Sequence, residues 1–110
     1  MWNEPSEKRL ALIPGLYQTE DVPLKEKIVR LHFFLGSWDW FVVEYDPRSR
    51  LFWGFAILND DYQCAEWGYM SFDELRDLKV GPGIEVDSEL AEFWTTRKAS
   101  EVEKIRQAMG

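Results

Sequence analysis

Glu44 and Asp46 stand two residues apart in a stretch rich in β-branched and aromatic residues, so as strand neighbours they project to one side. Two carboxylates so placed, joined by Glu66 or His32, are the donors a hard cation or an acid/base pair needs, which is the pattern of a small metal-dependent hydrolase or nuclease-like enzyme. The plainer reading has them flank a turn and pair with Arg48, Arg50 or Arg30. His32 with Tyr45 and Glu66 has the residue types of a general-base site, against the commoner role of a lone sheet histidine as a satisfied structural residue. Ser37 and Ser71 lack the Gly-x-Ser-x-Gly elbow of a nucleophile. Cys64, between Gln63 and Ala65, has no adjacent cation to lower its pKa. One histidine and one cysteine exclude an intramolecular disulfide and zinc sites built from several Cys or His ligands. No catalytic residue is assigned, and no metal or cofactor is expected.

The elements that must position these groups are marked by their punctuation. Glu7 to Leu12 reads as a short helix stopped by Pro14-Gly15, and residues 16–24 as irregular. Ile28 to Leu35 and Trp38 to Asp46 read as strands joined at Gly36-Ser37, where glycine supplies the positive φ of a two-residue hairpin. Leu51 to Leu58 and Tyr62 to Met70 follow as third and fourth strands. Ser71-x-x-Glu74 is a capping box opening a helix over Phe72 to Lys79, and Gly81-Pro82-Gly83 is a turn rather than a phosphate loop. Ile84 to Trp94 is open between a short strand and a helical turn. Ala99, Val102, Ile105 and Met109 fall at helical spacing. The expected fold is α+β: one domain over 1–110, with a helix and irregular segment over 1–27, a four-stranded antiparallel meander over 28–70 and a helical part over 71–110, two or three short helices packing on the sheet.

A two-residue turn sets Leu35 opposite Trp38, Phe33 opposite Trp40, Leu31 opposite Val42 and Val29 opposite Glu44. Extended by a four-residue turn to the third strand and a three-residue loop to the fourth, this register adds Leu51, Trp53, Phe55, Ile57, Ala65, Trp67 and Tyr69 to the same, core side. The other side then holds Arg30, His32, Phe41, Tyr45, Phe52 and Glu66, a mixed aromatic and charged surface of the composition found at interface hot spots. The alternative is that the 84–94 segment or the last helix covers this side too.

The chain carries 20 acidic and 13 basic residues, a formal net charge of −7, with six Trp, seven Phe and four Tyr. Such a chain has apolar surface enough for a core, and it repels nucleic acid at long range. Direct nucleic-acid binding is therefore not expected; the expected partner is a larger protein with a basic surface, with self-association through the aromatic face as a further possibility. Carboxylates crowd the second half, from Asp60-Asp61 to Glu103, where an ordered stripe would imitate phosphate charge, against the commoner role of an acidic face that merely keeps a protein soluble. The N-terminal residues lack the basic-then-apolar order of a signal peptide and no apolar run is long enough to span a bilayer, so neither secretion nor membrane insertion is expected and the location expected is cytoplasmic.

Leu16-Tyr17-x-Thr19-Glu20, Trp38-x-Trp40, Glu44-Tyr45-Asp46-Pro47, Leu51-Phe52-x-Gly54 and Glu66-x-Gly68-Tyr69-x-Ser71-x-x-Glu74-Leu75, in this order, resemble a family of short bacterial proteins classed as a domain of unknown function. The resemblance runs from about Leu12 to about Glu92, and Met70 departs from it where an aromatic is expected. Its members are typically encoded on plasmids, integrative elements and phages. What this implies is context: small acidic proteins of mobile elements are frequently inhibitors of host defence, of the antirestriction or anti-CRISPR kind, that occupy a nucleic-acid-binding surface of a larger target. The resemblance carries no catalytic or ligand residue over to this chain.

Overall fold

Hydroxyl caps begin two of the three helices. In the computed structural model, which describes residues 2–81, 84–89 and 94–109, Ser6 Oγ accepts from the Arg9 amide at 3.2 Å to open α1 (Glu7–Ala11), and Ser71 Oγ accepts from the Glu74 amide at 3.2 Å to open α2 (Phe72–Asp77). A 3-10 turn (Ala99–Glu101) leads into α3 (Glu103–Met109). The strands are β1 (Ile28–Val29), β2 (Leu31–Leu35), β3 (Trp38–Asp46), β4 (Leu51–Ile57), β5 (Glu66–Ser71), β6 (Lys79–Gly81), β7 (Ile84–Glu85), β8 (Asp87–Ser88) and β9 (Arg97–Lys98). The expected turn at Pro82-Gly83 and the 90–93 part of the ambiguous segment lie outside the described residues.

The fold is α+β, and β2 to β5 form the expected antiparallel meander. The sheet has five strands rather than four, in the order β5-β4-β3-β2-β8, because Asp87 and Ser88 pair with Phe34 and Phe33 on the outer side of β2. The 84–94 segment is thus extended where it is described up to Ser88. β5 begins at Glu66, not Tyr62: Asn59 and Asp60 take positive φ, and the Cys64 amide donates back to Asp61, so this stretch is turn.

The Gly36-Ser37 hairpin closes as expected, pairing Leu35 with Trp38, Phe33 with Trp40 and Leu31 with Val42. Gly36 alone of the two takes positive φ, at 58°, the pattern of a type II′ turn. The register then breaks. Trp40, Phe41 and Val42 pair with Ala56, Phe55 and Gly54, but Glu44 pairs with Trp53, leaving Val43 as an extra residue in β3. A bulge of one residue exchanges the faces of everything beyond it. The first hairpin's ladder ends at Leu31 and Val42, and Val29, expected opposite Glu44, pairs with Arg97 of β9.

This one residue corrects the expected division of the sheet. On the first face Leu31, Phe33, Trp40 and Val42 are joined by Tyr45, Phe52 and Met70 from beyond the bulge, under Ile13, Phe72, Leu75 and Val86. Trp2 closes this side, stacked on Phe33 with centroids 5.7 Å apart and planes 7° apart. On the second face Phe41 and Val43 lie with Phe55 and Ile57 under Trp94, Ala99, Val102 and Ile105. The last three come from the final amphipathic segment, expected as one helix, which extended Val102 divides into the 3-10 turn and α3. Both faces are roofed, and each fully buried Phe on them, such as Phe33 or Phe52, stabilises the fold by about 1.5–3 kcal/mol relative to exposure.

Candidate functional site

The six residues expected to form one docking surface do not share a surface. Phe41 is buried on the second face, Tyr45 and Phe52 on the first, for the reason just given. Glu66, exposed on β5, pairs with Ala56 and so lies on the first face as well. Arg30 is half-buried beside Arg9 and Trp94. His32 lies on the second face, its ring stacked on Phe41 at 4.5 Å and 7°.

The carboxylates proposed for a metal-dependent enzyme are likewise apart. Asp46 accepts from the Arg48 amide at 3.1 Å and the Ser49 hydroxyl at 2.7 Å, holding its turn, and the Ser49 hydrogen bond followed by the Arg48 amide keeps its carboxyl below the usual range. Glu44 faces the side of Trp53, and Glu66 the opposite side with Ala56. Among the described residues no group of three or more His, Cys, Asp or Glu is arranged to hold a metal ion. Cys64 is exposed, and its hydrogen bond to Asp61 pushes the thiol pKa up, away from a reactive thiolate.

Two arrangements of polar groups remain. The first surrounds His32. Nε2 lies 2.7 Å from Asp39 Oδ1 and Nδ1 lies 2.6 Å from Glu89 Oε1, while Lys104 Nζ donates to Asp39 Oδ2 at 2.8 Å. A doubly protonated ring satisfies both carboxylates at once, and a neutral ring only one. Burial alone would raise the Asp39 carboxyl, but hydrogen bonds from His32 and Lys104 outweigh it and hold Asp39 below the usual range. A cavity of about 490 Å³ opens beside this cluster. Its walls are already engaged: Asp87 accepts from the Asn3 amide and side chain, and Ser88 Oγ donates to the Asn3 carbonyl. The network fastens the N-terminus, β8 and α3 to the sheet.

The second arrangement is built on Glu44. This buried carboxylate accepts from the Tyr17 amide at 2.9 Å, the Thr19 amide at 3.1 Å and the Thr19 hydroxyl. It thereby holds the 16–20 loop in a shape that includes Tyr17 at φ 69°, uncommon for a residue with a side chain. Buried Lys27 donates from Nζ to the Thr19 carbonyl and, at 3.0 Å, to its hydroxyl, and lies 5.3 Å from the Trp53 ring centroid. The Tyr17 hydroxyl meets the Tyr69 hydroxyl at 2.7 Å, a hydrogen bond that pushes the Tyr69 pKa up. Together with Val22 and Leu24 these groups frame a cleft of about 540 Å³. Its rim is the unusual part: Tyr17 is 60% exposed, Tyr69 52%, Leu24 40% and Val22 37%. Tyr69, expected in the core, is therefore a surface residue. Sequence reading missed this cleft, although the Leu16-Tyr17-x-Thr19-Glu20 motif already named the loop that makes it.

Fold and site together define a small α+β domain whose antiparallel sheet is covered on both faces and whose N-terminal loop, seated on a buried carboxylate, frames an aromatic cleft. The chain belongs to the DUF2958 family, described as a protein of unknown function, which it matches over residues 8–110, the whole cleft included. No curated protein and no solved structure matches it. Among the described residues no helix is long and apolar enough to cross a membrane.

Proposed function

We propose that this protein is a non-enzymatic binding module that docks on a basic surface of a larger cytoplasmic protein through the Tyr17–Tyr69 cleft. The observation that carries the reading is the exposed rim of Tyr17, Val22, Leu24 and Tyr69 around a pre-formed concavity. Tyrosines held in place by their own hydrogen bond present a large amphipathic contact at small entropic cost, the type of anchor that dominates hot spots. Charge selects the occupant. Glu20 lines the cleft and the chain carries a net charge of −7, which complements a positive partner and opposes a second copy of this chain. A nucleic-acid-binding site on a defence enzyme is such a partner, and inhibition by occupying it is the role we assign, by analogy with other small acidic proteins of mobile elements.

The test is co-purification from host lysate with a nucleic-acid-processing complex, followed by affinity measurement against the purified partner. Tyr17→Ala and Tyr69→Ala are expected to weaken binding about tenfold or more each, and rising salt to weaken it further. A captured partner that binds both variants as tightly as the parent protein would remove the cleft from the reading, and binding indifferent to salt would remove the basic surface.

A further inference from the structure

In a chain with 20 acidic residues an arginine has many carboxylates to find, and two of the seven do: Arg50 reaches Asp73 at 2.9 Å, and Arg76 reaches Asp77 at 3.0 Å. Among the described residues the other five do not, and three of these gather at one place. Among the described residues Arg9, Arg30 and Arg97 take part in no ion pair. Arg9 donates only to the Glu89 main-chain carbonyl, at 3.0 Å. The Nε atoms of Arg30 and Arg97 are both buried with no hydrogen-bond partner.

These three come from α1, from the residue between β1 and β2, and from β9, and they meet around Trp94. Arg9 and Arg30 line a cavity of about 190 Å³ together with Leu12, Trp94 and Thr96. The Arg97 guanidinium lies 4.3 Å from the Trp94 ring centroid, and Trp94 is itself anchored by donating Nε1–H to the Val29 carbonyl at 3.2 Å. Gathering guanidinium groups at one place, partly out of water, with donors left over, is unfavourable unless an acceptor completes it. Burial already lowers the Arg9 pKa, the sign of a cation without a counter-charge.

We infer that the Arg9–Arg30–Trp94 cavity is an oxyanion site for a phosphate-class ligand, with Arg97, on the Trp94 ring, adding positive charge beside it. Guanidinium forks match the geometry of tetrahedral oxyanions and bind them bidentately, which a flexible ammonium cannot do. A space of about 190 Å³ has room for one phosphate group. Trp94 is buried and carries the Arg97 guanidinium on its ring, and the charged groups lining the cavity are the two guanidiniums of Arg9 and Arg30, so the recognised feature is the anion. This site is independent of the Tyr17–Tyr69 cleft and shares no lining residue with it.

The experiment is a titration of the full chain with inorganic phosphate, followed through the arginine Nε–Hε resonances, with acetate and chloride at matched ionic strength as the other arms. Saturable shifts at Arg9 and Arg30 with phosphate alone are the expected result. Arg30→Gln is expected to weaken phosphate binding about tenfold or more. Arg30→Lys, which keeps the charge and loses the fork, covers the case in which Arg30→Gln fails to fold and is expected to weaken it as well. Lys25→Gln, at a residue that does not line the cavity, is expected to leave it unchanged. Acetate and phosphate acting alike would reassign the site to carboxylates. No saturable shift, or unchanged phosphate affinity in Arg30→Lys, would overturn the inference.

Discussion

Asp39 and Glu44 lie near opposite ends of β3, and both are almost out of water, yet they are satisfied in different ways. Asp39, 2% exposed, is held by side-chain groups from elsewhere in the chain, the His32 ring on the neighbouring strand and the Lys104 ammonium on α3. Glu44, 5% exposed, is held by main-chain amides and a hydroxyl of the 16–20 loop. The difference lies in what each end must do. At Asp39 a charge cluster fastens separate elements to the sheet, whereas at Glu44 a carboxylate gives a loop without regular structure a single shape. Amides arranged around a carboxylate are as good an anchor as ion pairs, and they leave the loop's outward side chains free to form a rim.

The largest effect is expected where the two ends are set apart, at the bulge. A Cβ on Gly54, which pairs with Val42, would stand 1.8 Å from the Phe41 carbonyl oxygen, a contact no side-chain motion relieves. Gly54→Ala is expected to abolish the folded state, read as loss of dispersed NMR resonances. Next comes Asp39→Ala, which leaves His32 beside Glu89 with one ring nitrogen unpaired and strips Lys104 of its partner, a loss of about 3 kcal/mol in urea unfolding. Glu44→Ala strands the Tyr17 and Thr19 amides at a cost of about 2 kcal/mol and frees the loop, so binding at the cleft fails in a protein that still folds. If Glu44→Ala unfolded the chain as Asp39→Ala does, the contrast between the two ends would collapse.

Acid distinguishes them more finely. Because the folded pKa of Asp39 is depressed, its contribution is present above the ordinary carboxylate value of about 3.9 and is lost as pH falls through the lower folded value. Asp39→Asn is therefore expected to flatten the acid limb of the stability profile below about pH 4. Lys104 has a raised pKa, chiefly through its hydrogen bond to Asp39, so its share persists below its unfolded value and is lost only as pH rises through the folded one. The smallest effect belongs to Tyr69→Phe, which removes one exposed hydroxyl contact. Its unfolding midpoint is expected to match that of the parent, and a measurable shift would show that the Tyr17–Tyr69 bond supports the fold rather than the rim.

Local chemistry was readable wherever neighbours in sequence are neighbours in space. The Gly36-Ser37 reversal, the Ser71 cap, the stop after α1 and the apolar spacing of Ala99, Val102 and Ile105 all depend on hydrogen bonds or periodicities that a few residues complete among themselves. The bulge was not readable. Nothing in Val42-Val43-Glu44 announces an extra residue, because its cause is distributed: Arg30 donates to the Val42 carbonyl, Tyr45 to the Pro14 carbonyl, and Gly54 permits the close approach of Phe41. For the same reason the two-residue strand β9 is invisible in sequence and β8 lies in a stretch left open between strand and helical turn, both being strands only by virtue of their partners.

What the amino-acid order determined alone is therefore the kind of molecule: an acidic, aromatic α+β chain with an antiparallel meander and capped short helices, since propensity, capping and turn chemistry act over a few residues. Tertiary structure decided which aromatics face water. It buried Phe41, Tyr45 and Phe52 on opposite sides of the sheet, brought Tyr17 to Tyr69, and gathered Arg9, Arg30 and Arg97 around Trp94. Each of these depends on the face a strand presents after one unpaired residue, or on the meeting of segments up to 88 positions apart, counting from Arg9 to Arg97. Side-chain alternation along a strand carries no record of such meetings, because a shift of a single position reverses it.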